Sequence, residues 1–284
     1  MRYQYYWTAL AKQDLLDFLS KNKIKHDLYY ERVSFSVYTS QPNYKELIDT
    51  IKTVYQYSDV YQFTGPLIFA EYSEKDKESA DFLWITPKKF CIDICNLEEA
   101  YQYSCAYVTP TCFGDIERVR HKKQIGRLKI SKLPNLNTKT AFFAPDTGHC
   151  ELFCDHRIKT LAEENCLSGI SFLPVLTKKN IDSDVLFQLA SPHILHISDL
   201  VRGYGEKSEF CFMCGKESIV LPTQYQLHLY RHHLDPSWDY VSTDNIFGEG
   251  ISYPLHIISQ RFYQLLKEHN LCNGLSVNPI VLHD

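Results

Sequence analysis

The chain has 284 residues, of which 44% are hydrophobic and 23% charged, with 20 Tyr and 16 Phe. That apolar content fills a real core and excludes a disordered polypeptide. Lys and Arg total 30 against 34 Asp and Glu, a net charge of -4, so the balance offers no basic stripe for a phosphate backbone and makes nucleic acid an unlikely partner.

In chain order, residues 8–20 set Leu10, Leu15, Leu16 and Leu19 on one face of an amphipathic helix, with Thr8 as its N-cap. Leu28–Tyr38 alternates Val33, Phe35 and Val37 with Arg32, Ser34 and Ser36, a strand with one wet face. Pro42 opens a second helix carrying Leu47, Ile48, Ile51, Val54 and Tyr55. Leu67–Tyr72 reads as a strand, Ser73 with Asp76 as the capped start of a short helix through Phe82, and Leu83–Thr86 as another strand. Residues 87–124 hold Cys91, Cys95, Cys105 and Cys112 and the basic run Arg118–Lys123, expected as a solvated loop or helix face. After them Arg127–Ser131 is strand-like and leads to a turn at Pro134, Asn135 and Asn137. The fold class is α+β, with the major boundary near residue 125.

An internal repeat organises the rest. With a constant offset of 105, Leu161–Leu176 matches Leu266–Val281 at six identities in sixteen, among them Leu161/Leu266, Gly169/Gly274 and Pro174/Pro279. Each copy reads as a helix (155–165 and 260–270), a glycine that stops it in the left-handed region, and a strand closed by proline at a sheet edge or strand end. The expected organisation is an N-terminal α/β region over 1–124 ending in a Cys-rich segment, a first helix-Gly-strand half over 125–180, and a second over 181–284 that carries a zinc-knuckle insertion.

The chain holds ten cysteines. Its start puts Lys12, Gln13 and Asp14 where the apolar region of a signal peptide would lie, and no run of about 18 apolar residues exists to span a membrane. The expectation is a cytoplasmic protein whose thiols are buried or bind metal rather than pair as disulfides. Cys211-Phe-Met-Cys214-Gly215 is a CxxCG knuckle, in which two thiolates on one tight loop hold a single Zn²⁺. The second pair of ligands is either Cys105 and Cys112, spaced as an expanded knuckle, or His228 and His232, spaced as in a two-cysteine, two-histidine finger. Pro222 and the unfilled core positions weigh against the finger. Single buried thiols account for Cys91, Cys95, Cys150 and Cys154.

No GxSxG, GxGxxG, GxxxxGK[ST] or HExxH motif occurs, so no catalytic residue is assigned and the expectation is a protein without enzymatic activity. Asp235, Trp238 and Asp239 (DPSWD) read as a turn or as a pocket wall.

Three pieces together resemble the double-CXXCG immunity proteins found near bacterial polymorphic toxins. They are Cys105/Cys112-Phe-Gly, Cys211-Phe-Met-Cys214-Gly, and Ile257–Val281; Glu71–Thr86 also looks like the N-terminal part of related immunity proteins. The broken spacing of the first knuckle departs from the pattern. The resemblance implies a cytosolic antidote that binds a cognate toxin domain stoichiometrically and covers its active site. Contact positions suggested by location are Tyr225, Tyr230 and Trp238. A zinc-knuckle nucleic-acid or regulatory adaptor is the alternative, and a metal-dependent enzyme the third reading.

Overall fold

The computed structural model describes residues 2–56, 64–111, 114–136, 139–145, 151–203, 207–211, 215, 217–220, 226–244, 247 and 253–284. The fold is mixed α+β. It divides into two compact units, one built on Met1–Asp76 and one on Lys77–Leu221 with Gln226–Asp284. The boundary expected near residue 125 therefore falls inside the second unit. Among the described residues no helix is long and apolar enough to cross a membrane.

In the first unit β1 (Arg2–Leu10), α1 (Gln13–Lys21), β2 (His26–Tyr29), β3 (Arg32–Tyr38), α2 (Tyr44–Thr50) and β4 (Thr64–Glu71) follow in chain order. They build one antiparallel sheet of order β2-β3-β1-β4. This is the split βαβ arrangement, in which each helix crosses between strands on one face of the sheet. Trp7 and Ala9 on β1 and Val33, Phe35 and Val37 on β3 point to that face and are buried with Leu15, Leu19, Leu47, Ile48 and Ile51. Trp7 stands opposite Phe35 with the rings stacked at 5.6 Å.

Three local expectations change. Thr8 is not a helix cap: it lies within β1, its hydroxyl 3.3 Å from Ser34 Oγ, and α1 starts five residues later behind Lys12. The stretch read as one strand from Leu28 to Tyr38 is a hairpin that reverses at Tyr30, whose φ is +52°. The second helix continues past Thr50 as a π-helical turn over Ile51–Gln56.

A short helix α3 (Glu74–Glu78) leads into the second unit. Its strands are β5 (Phe82–Pro87), β6 (Phe90–Ile92), β7 (Tyr101–Thr111) and β8 (Gly114–Gln124) around α4 (Leu97–Ala100), then β9 (Phe142–Pro145) and β10 (Phe153–Asp155). Helix α5 (His156–Glu164), β11 (Ser171–Leu176), β12 (Asp182–Ala190), β13 (Ile194–Leu195), β14 (Lys207–Phe210) and β15 (Glu217–Val220) follow. The chain ends through β16 (His228–Tyr230), β17 (Tyr240–Thr243), β18 (His256–Ser259), α6 (Gln260–Glu268), β19 (Leu275–Pro279) and β20 (Val281–His283). The run Arg118–Lys123, expected in a loop or on a helix, lies in β8.

Two five-stranded sheets share one pattern. The first has the order β11-β12-β10-β9-β6 and the second β19-β5-β18-β17-β13. In each, the outermost pair (β6 with β9, β13 with β17) is parallel and every other pair antiparallel. The strand between β10 and β11 is β12, whose chain neighbour β13 belongs to the other sheet; the strand between β18 and β19 is β5, whose chain neighbour β6 belongs to the first. Each sheet thus contains one strand that is joined in the chain to a strand of the other. Side chains of β5 and β12 (Leu83, Ile85, Phe187, Leu189) meet those of α5 and α6 (Ile158, Leu161, Phe262, Leu266) in one continuous core. Pro174 and Pro279 lie in β11 and β19, both edge strands, where a missing N–H breaks no ladder.

The helix ends agree in detail. Asp155 and Ser259 are the N-caps, accepting from the N–H of Arg157 and of Phe262. At the C-termini Leu167 N–H donates to Ala162 O (2.9 Å) and Leu271 N–H to Leu266 O (2.8 Å). The left-handed residues that close them are Cys166 (φ +50°) and Asn270 (φ +57°). These positions are 104 apart, so Leu266 corresponds to Ala162, not Leu161; the offset becomes 105 only at Gly169 and Gly274. The glycines are not the helix stops. A Cβ on Gly169 would lie 2.3 Å from the Tyr240 carbonyl oxygen, and one on Gly274 2.6 Å from Thr140 Cγ2, so each permits a close crossing.

Candidate functional site

The cysteine-bearing hairpins occupy matching places. β7–β8 is inserted between β6 and β9, and β14–β15 between β13 and β17. In the second, the ladder closes at Phe210 and Glu217, and the CxxCG lies between them. Cys211 is buried, its carbonyl accepts the Gly215 N–H at 2.8 Å, and Gly215 has φ +69°. Cys214 itself lies outside the described residues.

Cys105 stands on β7, where the ladder continues to Thr111 opposite Gly114. Six strand residues extend about 20 Å, so Cys105 sits far from the Thr111–Gly114 end of the ladder. Cys112 lies outside the described residues. His228 and His232 are engaged separately. His228 Nδ1 is 2.8 Å from His283 Nε2 across the β16–β20 pair, whereas His232 packs on His233 with ring centres 4.1 Å apart. Among the described residues no group of three or more His, Cys, Asp or Glu is placed to hold a metal.

A recess lies elsewhere, at the start of α6. A cleft of about 1140 Å³ is bounded by Asp81, Arg231–Asp239, Ser259, Gln260 and Arg261. Ser259 caps the helix, and its hydroxyl also donates to Asp239 Oδ1 at 2.8 Å. Asp239 Oδ2 accepts from the Ser168 N–H (2.9 Å) and from Arg261 Nη1 (3.1 Å). The floor is therefore a buried carboxylate fixed by donors from two segments far apart in the chain, one beside α5 and one on α6.

The rim is acidic and aromatic. Arg231 bridges Asp81 (3.0 Å) and Asp284 (3.1 Å) at the surface. Asp235 closes a turn with Trp238 N–H at 3.0 Å, and hydrogen bonds from Ser237 hold its carboxyl below the ordinary carboxylate value. The DPSWD segment is thus both a turn and a cleft wall. Trp238 stacks on His193 with ring centres 4.2 Å apart. Tyr230 stands at the rim beside His232, 5.6 Å between rings. Of the suggested contact positions, Trp238 lines the cleft and Tyr230 flanks it; Tyr225 lies outside the described residues. Asp81 and Arg261 were missed because the first precedes the cleft by 150 residues of chain and the second reads as an ordinary helix charge. No family model matches the chain, and no curated protein matches it.

Proposed function

We propose that this chain is a cytoplasmic immunity protein that binds a cognate bacterial toxin domain one to one and covers its active site. The observation that supports this reading best is the cleft at the start of α6. It offers a tryptophan stacked on His193, two arginines already fixed by carboxylates, and an acidic rim at Asp81, Asp235 and Asp284. Aromatic and arginine side chains on a rigid wall are the residues that dominate protein–protein affinity, and an acidic rim speeds capture of a basic partner. The two matching β–α–β segments we read as a tandem repeat, a scaffold that holds this wall and both hairpins. We read the CxxCG hairpin as a zinc knuckle, a structural Zn²⁺ site on Cys211 and Cys214.

Two experiments test these readings. The toxin domain encoded next to this gene should co-purify at one-to-one stoichiometry, and Trp238→Ala should weaken the complex by about 2 kcal/mol, near thirtyfold. Unchanged affinity in Trp238→Ala removes the cleft from the interface. Purified protein should carry about one zinc per chain, lost together with stability in Cys211→Ser and Cys214→Ser. Cys105→Ser with Cys112→Ser, set against His228→Ala with His232→Ala, identifies the second pair of ligands. A metal content near zero rejects the site.

A further inference from the structure

The antiparallel sheet of the first unit has two unlike faces. One is closed by α1 and α2 over Trp7, Ala9, Val33, Phe35 and Val37. Strand alternation puts Gln4, Tyr6 and Thr8 of β1 and Ser34, Ser36 and Tyr38 of β3 on the other, all partly buried. A polar face is ordinary where such a sheet meets water, but it need not be hollow. Here it is. β2 begins at His26, opposite Phe35, so among the described residues no strand lies beyond Ser36, Val37 and Tyr38, and a recess of about 510 Å³ opens over this step. β1 and β3 make its floor, and Lys23, Lys25, Ser40 and Gln41 its rim.

The floor is satisfied within the sheet and the rim is not. Gln4 Nε2 donates to Ser36 Oγ at 2.7 Å, and the Thr8 and Ser34 hydroxyls lie 3.3 Å apart. Arg2 pairs with Glu71 and lies over the Tyr38 ring. Lys23 and Lys25, by contrast, pair with no carboxylate among the described residues, and Asp27 is the one acidic residue of the lining. The Tyr38 and Ser40 hydroxyls likewise donate to no described residue. Gln41 Oε1 accepts the Tyr38 N–H at 2.8 Å, which leaves its amide hydrogens as donors. Lys23 is also held in the left-handed region (φ +55°), where it closes α1 as Asn270 closes α6. Lysine is disfavoured there relative to asparagine or glycine, so an ammonium is kept at this rim against the preference of the backbone.

We infer that this recess binds a sugar phosphate, with Lys23 and Lys25 holding the phosphate and Tyr38, Ser40 and Gln41 donating to the oxygens of the ligand. With Arg2 neutralised by Glu71, two ammoniums stand against one carboxylate, a local positive surplus in a chain whose net charge is -4. Lysine binds phosphate as a point charge, and hydroxyl and amide donors suit a hydroxylated body. A recess of this volume encloses a small molecule rather than a bare ion, and the acidic balance of the whole chain disfavours a nucleic-acid strand. The site lies within the first unit, so it stands whether or not the α6 cleft binds a toxin.

The test titrates the full-length protein by calorimetry with ribose 5-phosphate and glucose 6-phosphate, set against ribose, glucose and inorganic phosphate. At least one sugar phosphate should bind about tenfold tighter than its sugar and than inorganic phosphate, since only it engages the lysines and the donors together. Lys23→Asn with Lys25→Gln should weaken it about tenfold and leave the Tm at or above that of the unaltered protein, because asparagine suits the left-handed position. Lys12→Gln, at an exposed residue outside the recess, should leave the affinity unchanged. Tyr38→Phe with Ser40→Ala should narrow the advantage over inorganic phosphate. Failure of both sugar phosphates to bind, equal affinity for inorganic phosphate, or full affinity in the double lysine variant overturns the assignment. So does an oligouridylate that binds about tenfold tighter than either sugar phosphate, which would give the face to single-stranded RNA.

Discussion

Replacing Asp239 with alanine removes the floor of the α6 cleft and tests how much of the second unit depends on it. The carboxylate is 3% exposed and accepts from the Ser259 hydroxyl, the Ser168 N–H and Arg261. A hydrogen bond to a charged acceptor contributes about 1.5–3 kcal/mol, and the Ser168 N–H would be left without its acceptor. Arg261 adds little, because its side chain is 56% exposed. The buried Ser259 hydroxyl and the part-buried Ser168 N–H together give a loss of about 3–5 kcal/mol, the range seen when one member of a buried charged network is deleted. With a urea slope of about 3 kcal/mol/M, the midpoint followed by far-UV circular dichroism falls by about 1–1.7 M. Asp239→Asn keeps one acceptor oxygen and should recover part of the loss, whereas Arg261→Ala should cost under about 1 kcal/mol. A loss below about 1 kcal/mol in Asp239→Ala would refute the reasoning, since the donors would then have found other acceptors.

Three further outcomes follow from local geometry. Gly215→Ala should cost about 1–2 kcal/mol, the left-handed strain alone, because a Cβ there meets nothing within 4 Å; Gly169→Ala adds a clash with the Tyr240 carbonyl and should cost at least twice as much by denaturant unfolding. Burial raises the Cys154 thiol, with the Asp155 charge adding to it, and burial raises the Tyr240 phenol, with Cys154 adding to it. Both groups are neutral when protonated, so the folded state retains their protons above the ordinary values of about 8.5 and 10; their contribution to stability should be constant below about pH 8 and fall as pH rises beyond it, and a flat alkaline limb would contradict this burial. Cys95, read from the sequence as a buried thiol, is exposed, as is Cys166; in the native state both should react with a thiol reagent at pH 8 while Cys154 does so only on unfolding, as mass spectrometry of the labelled peptides would read.

Sequence periodicity found the elements whose signals are local and failed where partners are remote. The alternation of Val33, Phe35 and Val37 located β3, and helical spacing located α5 and α6 to within a residue or two. β1 went unread because Thr8 resembles a cap and only its pairing with β3 and β4 reveals a strand. A gapless comparison aligned the strands after Gly169 and Gly274, but the helices differ by one residue, absorbed between Cys166 and Gly169 against Asn270 and Gly274. The pairing of β5 with β18 leaves no trace in local patterning, since it joins residues more than 160 apart in the chain. At the cleft, Trp238 and Asp239 were legible as a turn that doubles as a wall.

The most direct measurement of the central claim is growth of cells that express the neighbouring toxin domain from an inducible promoter, with and without this chain. The account predicts full rescue by the unaltered protein at matched expression and loss of rescue with Trp238→Ala, the toxin remaining intact and bound in the first case. Death of cells that contain folded, soluble protein at stoichiometric excess over that toxin would contradict it.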